Sequence, residues 1–121
     1  MSNSDQVLDA ARNIKNSMGS VNVLINCAGM NTPKRHWRDL DIADWHRIVA
    51  VNLNGVANTV CATLPFMRDQ QDGLIINIAS WAAKHEFPSR ARPMSRQNAA
   101  LSTCRTASIR KKCTTISVAA A

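Results

Sequence analysis

The 121-residue sequence contains no tyrosine, and its four glycines are isolated at positions 19, 29, 55 and 73. None of them forms the Gly-x-Gly-x-x-Gly turn that holds the pyrophosphate of a dinucleotide. No run approaches 18 apolar residues, so we expect no membrane span. The polar start, Met1–Gln6, predicts that there is no signal peptide.

The four cysteines show neither CxxC spacing nor another metal-type spacing; they are Cys27, Cys61, Cys104 and Cys113. Without a secretory signal they are interpreted as reduced thiols of a cytoplasmic protein. No metal site is therefore predicted. Zinc bound by cysteine together with one of the three histidines, His36, His46 or His85, stays an alternative that lacks paired ligands.

Acidic residues are absent from the last part of the chain. Residues 1–88 hold all eight acids and eight of the fifteen Lys and Arg, so residues 89–121 carry the seven remaining bases and the whole net charge of +7. Those last residues contain no aromatic side chain, whereas single-stranded nucleic acid is usually bound by a basic groove with aromatic residues. We therefore predict no nucleic-acid or membrane partner, with non-specific binding through the basic tail as the alternative.

The first predicted element is a helix over residues 4–18, with Ser4 as its N-cap and Gly19 as its end. Its apolar residues fall on one stripe, which we expect to be buried. They are Val7, Leu8, Ala11, Ile14 and Met18.

The apolar pattern then predicts a strand over 21–26, a long helix over 41–68 and a second strand over 74–80. A strand, a helix and a strand in this order form a βαβ unit, whose two strands pair in parallel. Such strands belong to a doubly wound sheet with cover on both faces, for which two strands are too few. The predicted fold is therefore α/β, a partial Rossmann-like doubly wound parallel sheet followed by an irregular or weakly helical tail.

Ligands of open α/β sheets bind beyond the carboxyl ends of the strands. The first strand ends in Asn26-Cys27-Ala28-Gly29, and the second ends in Ser80. The hydroxyl of a serine can donate to a substrate carbonyl oxygen and stabilise charge there. Taken alone, each of these signals is more often that of an ordinary turn.

Three ordered motifs together resemble the short-chain dehydrogenase/reductase family over residues 4–88. They are "VNVLINCAG", the helix phrase containing "VNLNG", and "GLIINIAS". The turn over residues 26–29 is similar to the family's Asn-Asn-Ala-Gly motif, with Cys27 in the second place. The resemblance implies an NAD(P)-dependent oxidoreductase acting on a small carbonyl or alcohol substrate.

The resemblance also implies roles for single residues. Ser80 would hold the substrate oxygen, and Asn52 would help to hold a water in a proton relay. The four residues of the turn, Asn26, Cys27, Ala28 and Gly29, would line the adenosine side of NAD or NADP. Trp37 and Trp45, by contrast, are interpreted as packing anchors rather than ligand-stacking residues.

The family's tyrosine, the general acid and base, is expected about 13 residues after the serine, with a lysine four residues further on. Position 93 is proline, but the codons from Pro93 to Asn98, read from their third bases, can encode Tyr-Val-Ala-Ser-Lys. We therefore expect that residues from about Ser89 onward are a frame-shifted translation of the active-site helix. The predicted division is a partial core, 1–88, and an aberrant, disordered basic tail, 89–121.

Two functions are left open by the sequence. The first is an inactive fragment of an NAD(P)-dependent enzyme, because the tyrosine and the glycine-rich turn are missing. The second is a non-catalytic interaction fragment that forms a homo-oligomer through the 42–68 helix.

Overall fold

The computed structural model describes residues 1–34, 36–80 and 118–120. Its elements are α1 (Ser4–Met18), β1 (Val23–Asn26), α2 (Ile42–Val49), a π-helical segment (Ala50–Asn54), α3 (Gly55–Asp69), β2 (Leu74–Ser80) and β3 (Val118–Ala120). Within these residues the strands form one sheet in the order β1-β2-β3, with parallel pairing throughout. The predicted α/β fold with a parallel sheet is confirmed.

Helix α1 begins and ends by recognisable capping. The side chain of Asn3, not of the predicted Ser4, accepts from the backbone N–H of Gln6 at 3.0 Å. The N-cap prediction was therefore displaced by one residue, because Asn and Ser at adjacent positions are equally good caps. Gly19 ends the helix as predicted, with a φ of 78° that glycine adopts without strain.

The apolar stripe of α1 is only partly covered. Ala11 is buried against the rest of the structure, whereas Ile14 is 47% exposed and Met18 is 74% exposed. Val7 and Leu8 are half-buried, so the expectation of a buried stripe is met by Ala11 alone. Helix α1 packs on α3, and nothing among the described residues covers the far side of the stripe.

The long helix has a different internal structure from the one predicted. It runs over Ile42–Asp69, but Ala50–Asn54 is π-helical, and the backbone N–H of Gly55 donates to the carbonyl of Ala50. An i→i+5 bond of this kind inserts a residue into the turn, a feature frequently found at functional sites. Here Asn52 lies within the π-helical segment.

The same 28-residue helix is long and apolar enough to cross a membrane by length and composition alone. Its most apolar 18-residue stretch has a mean hydropathy of 1.3, and 33% of that stretch is buried. Among the described residues, one helix meets these criteria of length and composition. The core helix of a soluble protein meets the same criterion, so this observation is weak evidence for a membrane span.

The strands agree closely with the sequence pattern. β2 has the predicted bounds, whereas β1 begins at Val23, two residues later than predicted. Val23 pairs with Leu74 and Asn26 with Asn77, so β2 extends past the end of β1. The core lies between the helices and the sheet and comprises Ala11, Ile48, Val56, Ala62, Met67 and Ile75.

The predicted boundary at residue 88 lies outside the described residues. In the tail the structure describes the three residues of β3, which pair with Ile78, Ala79 and Ser80 of β2. This strand was not predicted, because the sequence around it showed no alternation. The division of the chain into a core and a basic tail stays a prediction.

Candidate functional site

The side chain of Asn26 joins three elements at the carboxyl end of β1. It is 4% exposed; its Nδ2 donates to Asn77 Oδ1 at 2.8 Å, and its Oδ1 accepts from the hydroxyl of Thr59 at 2.7 Å. Buried amides need such partners, because an unmatched buried polar group costs about 1–3 kcal/mol. The Asn26 side chain therefore fixes β1 against β2 and α3.

The three residues after Asn26 are all exposed at this end of the sheet. A Cβ placed on Gly29 would lie 3.7 Å from Oδ1 of Asn52, which is an ordinary contact. The chain itself therefore leaves room for a side chain at Gly29. The thiol of Cys27 is exposed and free.

Asn52 holds the next residue of this turn at two points. Its Oδ1 accepts from the backbone N–H of Met30 at 2.8 Å, and its Nδ2 donates to the carbonyl oxygen of Met30 at 2.9 Å. Asn52 is 4% exposed, so both bonds form away from bulk water. The π-helical segment thus positions the turn that follows β1, with one hydrogen bond from each polar atom of the Asn52 side chain.

Thr32, Asp44 and Arg47 form a second link between the same loop and the long helix. The hydroxyl of Thr32 donates to Asp44 Oδ2 at 3.0 Å, and Arg47 Nη2 donates to Asp44 Oδ1. The hydrogen bond from Arg47 has the largest effect on Asp44, followed by the hydrogen bond from Thr32. Both hold the pKa of Asp44 below its ordinary value, whereas desolvation of the carboxylate raises it. This network ties the loop to the first turns of α2.

Replacing Thr32 by Val is expected to raise the pKa of Asp44 towards the ordinary value, because one hydrogen bond to the carboxylate is lost. A lowered folded-state pKa stabilises the fold above the ordinary carboxyl pKa of about 4, and this contribution is lost as the pH falls through the lower folded value. The Thr32→Val protein should therefore lose less stability on acidification. NMR titration of the Asp44 carboxyl carbon measures the shift; Ser17→Ala on α1 is the control, and an unchanged Asp44 pKa would contradict the assignment.

Ser80 is the last residue of β2. Because Asn77 pairs with Asn26, Ser80 lies three residues beyond the end of β1. At about 3.3 Å per residue this places its backbone roughly 10 Å further along the strand direction. The carboxyl ends of the two strands therefore lie on the same side of the sheet, but Ser80 lies further along the strand direction than Asn26.

Trp37 and Trp45 contact each other beside this loop. Their ring centroids are 5.5 Å apart at an interplanar angle of 40°. This geometry is that of a packed aromatic pair, which agrees with the interpretation as packing anchors. Trp45 is half-buried on α2, whereas Trp37 is 58% exposed.

The sequence pattern of the family described as short chain dehydrogenase matches residues 1–95. The chain belongs to the short-chain dehydrogenase family. It is 37% identical over 87 residues to an uncharacterized oxidoreductase of Staphylococcus saprophyticus, a match that covers 72% of this chain and 35% of that protein. It is 32% identical over 76 residues to the 3-oxoacyl-[acyl-carrier-protein] reductase FabG of Thermotoga maritima, covering 63% of this chain and 30% of the reductase.

Solved short-chain dehydrogenases share the fold. A gluconate 5-dehydrogenase from Burkholderia cenocepacia, solved in complex with NADP and tartrate, is 29% identical, with a TM-score of 0.75. The match covers 83% of this chain and 38% of that enzyme. The chain thus spans about a third of the length of the relatives it matches.

The residues present match only part of what a dinucleotide requires. The exposed turn after Asn26 can flank one flat ring, but the sequence has no glycine-rich turn for a pyrophosphate. The amino end of α2 is capped by the carboxylate of Asp41, which accepts from the N–H of Ala43 at 2.8 Å. That negative charge disfavours a phosphate at this helix end, so the described residues do not form a complete NAD(P) site.

No group of three or more His, Cys, Asp or Glu that could hold a metal ion occurs among the described residues. Sequence reasoning missed Thr59, Asn77 and Met30. The position of Asn77 opposite Asn26 could have been inferred from aligning the two strand ends. The role of Met30 carries no sequence signal, because its backbone makes both contacts.

Proposed function

We propose that this chain carries the substrate-orienting part of a short-chain dehydrogenase site, derived from an NAD(P)-dependent enzyme that interconverts a small carbonyl compound and its alcohol. The observation that carries the proposal is the pair of hydrogen bonds between the Asn52 side chain and the backbone of Met30. These bonds hold the turn after β1 against the π-helical segment. Two of the similar proteins are a reductase and a dehydrogenase, which supports the same reaction class.

Within this proposal the residues have distinct roles. Ser80, at the end of β2, donates to the substrate carbonyl oxygen. Asn52 helps to hold a water in the proton relay, and its side chain at the same time fixes the backbone of Met30 in the turn after β1. Cys27, Ala28 and Gly29 flank the adenosine side of the cofactor, while Asn26 supports the turn from beneath.

By itself, the chain does not catalyse this reaction. NAD or NADP supplies and accepts the hydride in this chemistry. The sequence offers neither the glycine-rich turn nor a tyrosine that could protonate the substrate oxygen. A cytoplasmic location is part of the same proposal.

The experiment is a hydride-transfer assay with NADH or NADPH and small aldehydes and ketones. It compares this chain with the chain translated in the displaced frame from about codon 89. We expect no turnover from the present chain and measurable turnover from the displaced-frame chain. Turnover by the present chain would contradict its inactivity. Because the displaced frame does not supply a glycine-rich turn, both chains are also assayed at millimolar cofactor, and absence of turnover from the displaced-frame chain there would contradict the reaction class for this site.

A second candidate function is a non-catalytic interaction through the long helix, with a homo-oligomer as the product. It is favoured by the exposed apolar side chain of Ile42 at the start of that helix, which is 66% exposed. In size-exclusion chromatography, Ile42→Lys is then expected to convert an oligomer of the chain to a monomer. An elution volume unchanged by this substitution would count against this candidate.

A further inference from the structure

Three contacts with the long helix hold the loop that follows β1. They join Met30 to Asn52, Thr32 to Asp44, and Trp37 to Trp45. The partners on the helix belong to its first three turns and to the π-helical segment. The loop is therefore fixed along the helix, and the side chains that it presents have set positions.

These contacts carry the loop beyond the carboxyl edge of the sheet. Because the long helix connects the end of β1 to the start of β2, it runs antiparallel to both strands. Thr59 of this helix contacts Asn26 at the end of β1. Asn52 lies seven residues before Thr59, and Trp45 lies seven residues before Asn52. At about 1.5 Å per residue, Asn52 is roughly 10 Å and Trp45 roughly 20 Å beyond the level of Asn26.

The level of Ser80 follows from the register of the strands. Its backbone lies roughly 10 Å beyond Asn26 along the strand direction, which is close to the level of Asn52. The Trp37–Trp45 pair therefore lies roughly 10 Å further from the sheet than Ser80 does. A substrate that has its carbonyl oxygen at Ser80 reaches this pair only with the opposite end of its molecule.

Trp37 is presented on a tight turn of the loop. The backbone N–H of Asp39 donates to the carbonyl oxygen of His36 at 2.9 Å, so Trp37 is the second residue of this turn. Trp45 packs against the ring of Trp37, yet Trp37 stays 58% exposed. Packing against Trp45 thus explains how the ring is held, and it leaves the ring largely open to a ligand.

The two charged residues that follow Trp37 pair with each other. Nε of Arg38 donates to the carboxylate of Asp39 at 3.3 Å. The ring of Trp37 therefore lies beside a neutral pair rather than beside a single charge. Such a ring favours an uncharged ligand, and a flat aromatic group gains most from it because ring stacking adds to the burial of apolar surface.

We propose that Trp37 binds the far end of the substrate and that this end is an uncharged aromatic ring. The substrate class is then an aryl-alkyl ketone or aldehyde and the corresponding alcohol, with a short alkyl chain between the ring and the reacting carbon. This inference rests on the proposed function, in which the substrate oxygen is held by Ser80. Trp37 is a specificity-determining residue in this role, and Trp45 is the positioning residue that holds it.

The test measures binding to the full 121-residue chain by NMR, with the tryptophan indole N–H groups labelled with ¹⁵N. The probes are benzylacetone and butanone, which share a methyl ketone and differ in the aromatic ring. We expect benzylacetone to bind about two- to tenfold more tightly, because ring stacking contributes a factor of that size. It should also shift the indole resonance of Trp37. Neither readout requires turnover.

Variants assign this preference to the ring of Trp37. Trp37→Ala should abolish the preference for benzylacetone, whereas Trp37→Phe keeps an aromatic face and should retain most of it. Met18→Ala, at an apolar residue of α1 that is 74% exposed, should leave the preference unchanged. Circular dichroism of the free variants checks that each one folds.

Ser80→Ala separates this inference from the proposed function. If the proposed function holds, this substitution weakens the binding of both ketones equally, because it removes a donor to the oxygen that they share. Unchanged affinities in Ser80→Ala, together with a preference that Trp37→Ala abolishes, contradict the proposed function and leave the ring contact at Trp37 standing.

Three results overturn the inference. The first is that benzylacetone does not bind or binds no more tightly than butanone, and the second is a preference that survives Trp37→Ala. The third is a chain that size-exclusion chromatography shows to be an oligomer and that Trp37→Ala converts to a monomer, while benzylacetone leaves the indole resonance of Trp37 unchanged. A second copy of the chain would then be the occupant of the ring.

Discussion

Replacing Asn52 by Leu should destabilise the fold by about 2–5 kcal/mol and release the turn at Met30. Leucine has a similar volume but neither hydrogen-bonding group, so it leaves the N–H and the carbonyl oxygen of Met30 without their partner. A buried backbone group left unmatched costs about 1–3 kcal/mol, and two are affected here, but Met30 is half-buried, so water takes over part of the lost hydrogen bonding. Chemical denaturation measures the loss of stability, and hydrogen exchange at Met30 measures the release of the turn.

The matched control is Asn54→Leu, two positions further along the same π-helical segment. Asn54 is exposed, so the same substitution there should change stability by less than about 0.5 kcal/mol. A similar effect of both substitutions would mean that the segment responds to helix propensity alone. Asn52→Asp is informative as well, because its carboxylate can accept from the N–H of Met30 but is repelled by the carbonyl oxygen.

The helices and strands could be predicted because their signals are local. The period of apolar residues gave the bounds of β2 and the extent of the long helix to within one residue at each end. The π-helical segment could not be predicted from the apolar pattern. A single π-turn adds one residue to the helix, and the apolar residues continue on both sides of it without a visible break. Its only visible mark is a buried Asn52 inside that pattern.

The failures in α1 and β1 have a common physical cause. The stripe of α1 predicts burial because apolar helical faces normally find a partner. Ile14 is 47% exposed and Val23 is 51% exposed, and nothing among the described residues covers them. A sequence pattern thus reports which surface requires cover, whereas only the structure shows whether cover is present.

Resemblance to a family predicted candidate site residues, but it did not specify which contacts hold them in place. The motif placed Asn26 and Ser80 at strand ends, and β1 and β2 bring those ends to one edge of the sheet. The bonds from Asn26 to Asn77 and Thr59 depend on register and helix packing, which a motif does not encode. The assignment of the cofactor-flanking residues stays a prediction.

The chain translated in the displaced frame from about codon 89 should exceed the present chain by about 10²–10⁴ in the rate of carbonyl reduction, since a positioned general acid contributes a factor of that size. The displaced codons 93–97 are compatible with Tyr-x-x-x-Lys, in which the lysine cation would lower the pKa of the tyrosine and favour its phenolate. Sequencing the coding DNA is the first measurement, and a displaced frame without this motif contradicts the hypothesis before any protein is made. If the motif is present, rates are measured at millimolar NADH and NADPH for both chains. The control is the displaced-frame chain with phenylalanine in place of the new tyrosine, which should lose the gain while keeping the same fold; a gain that survives this replacement would show that the tyrosine is not the proton donor.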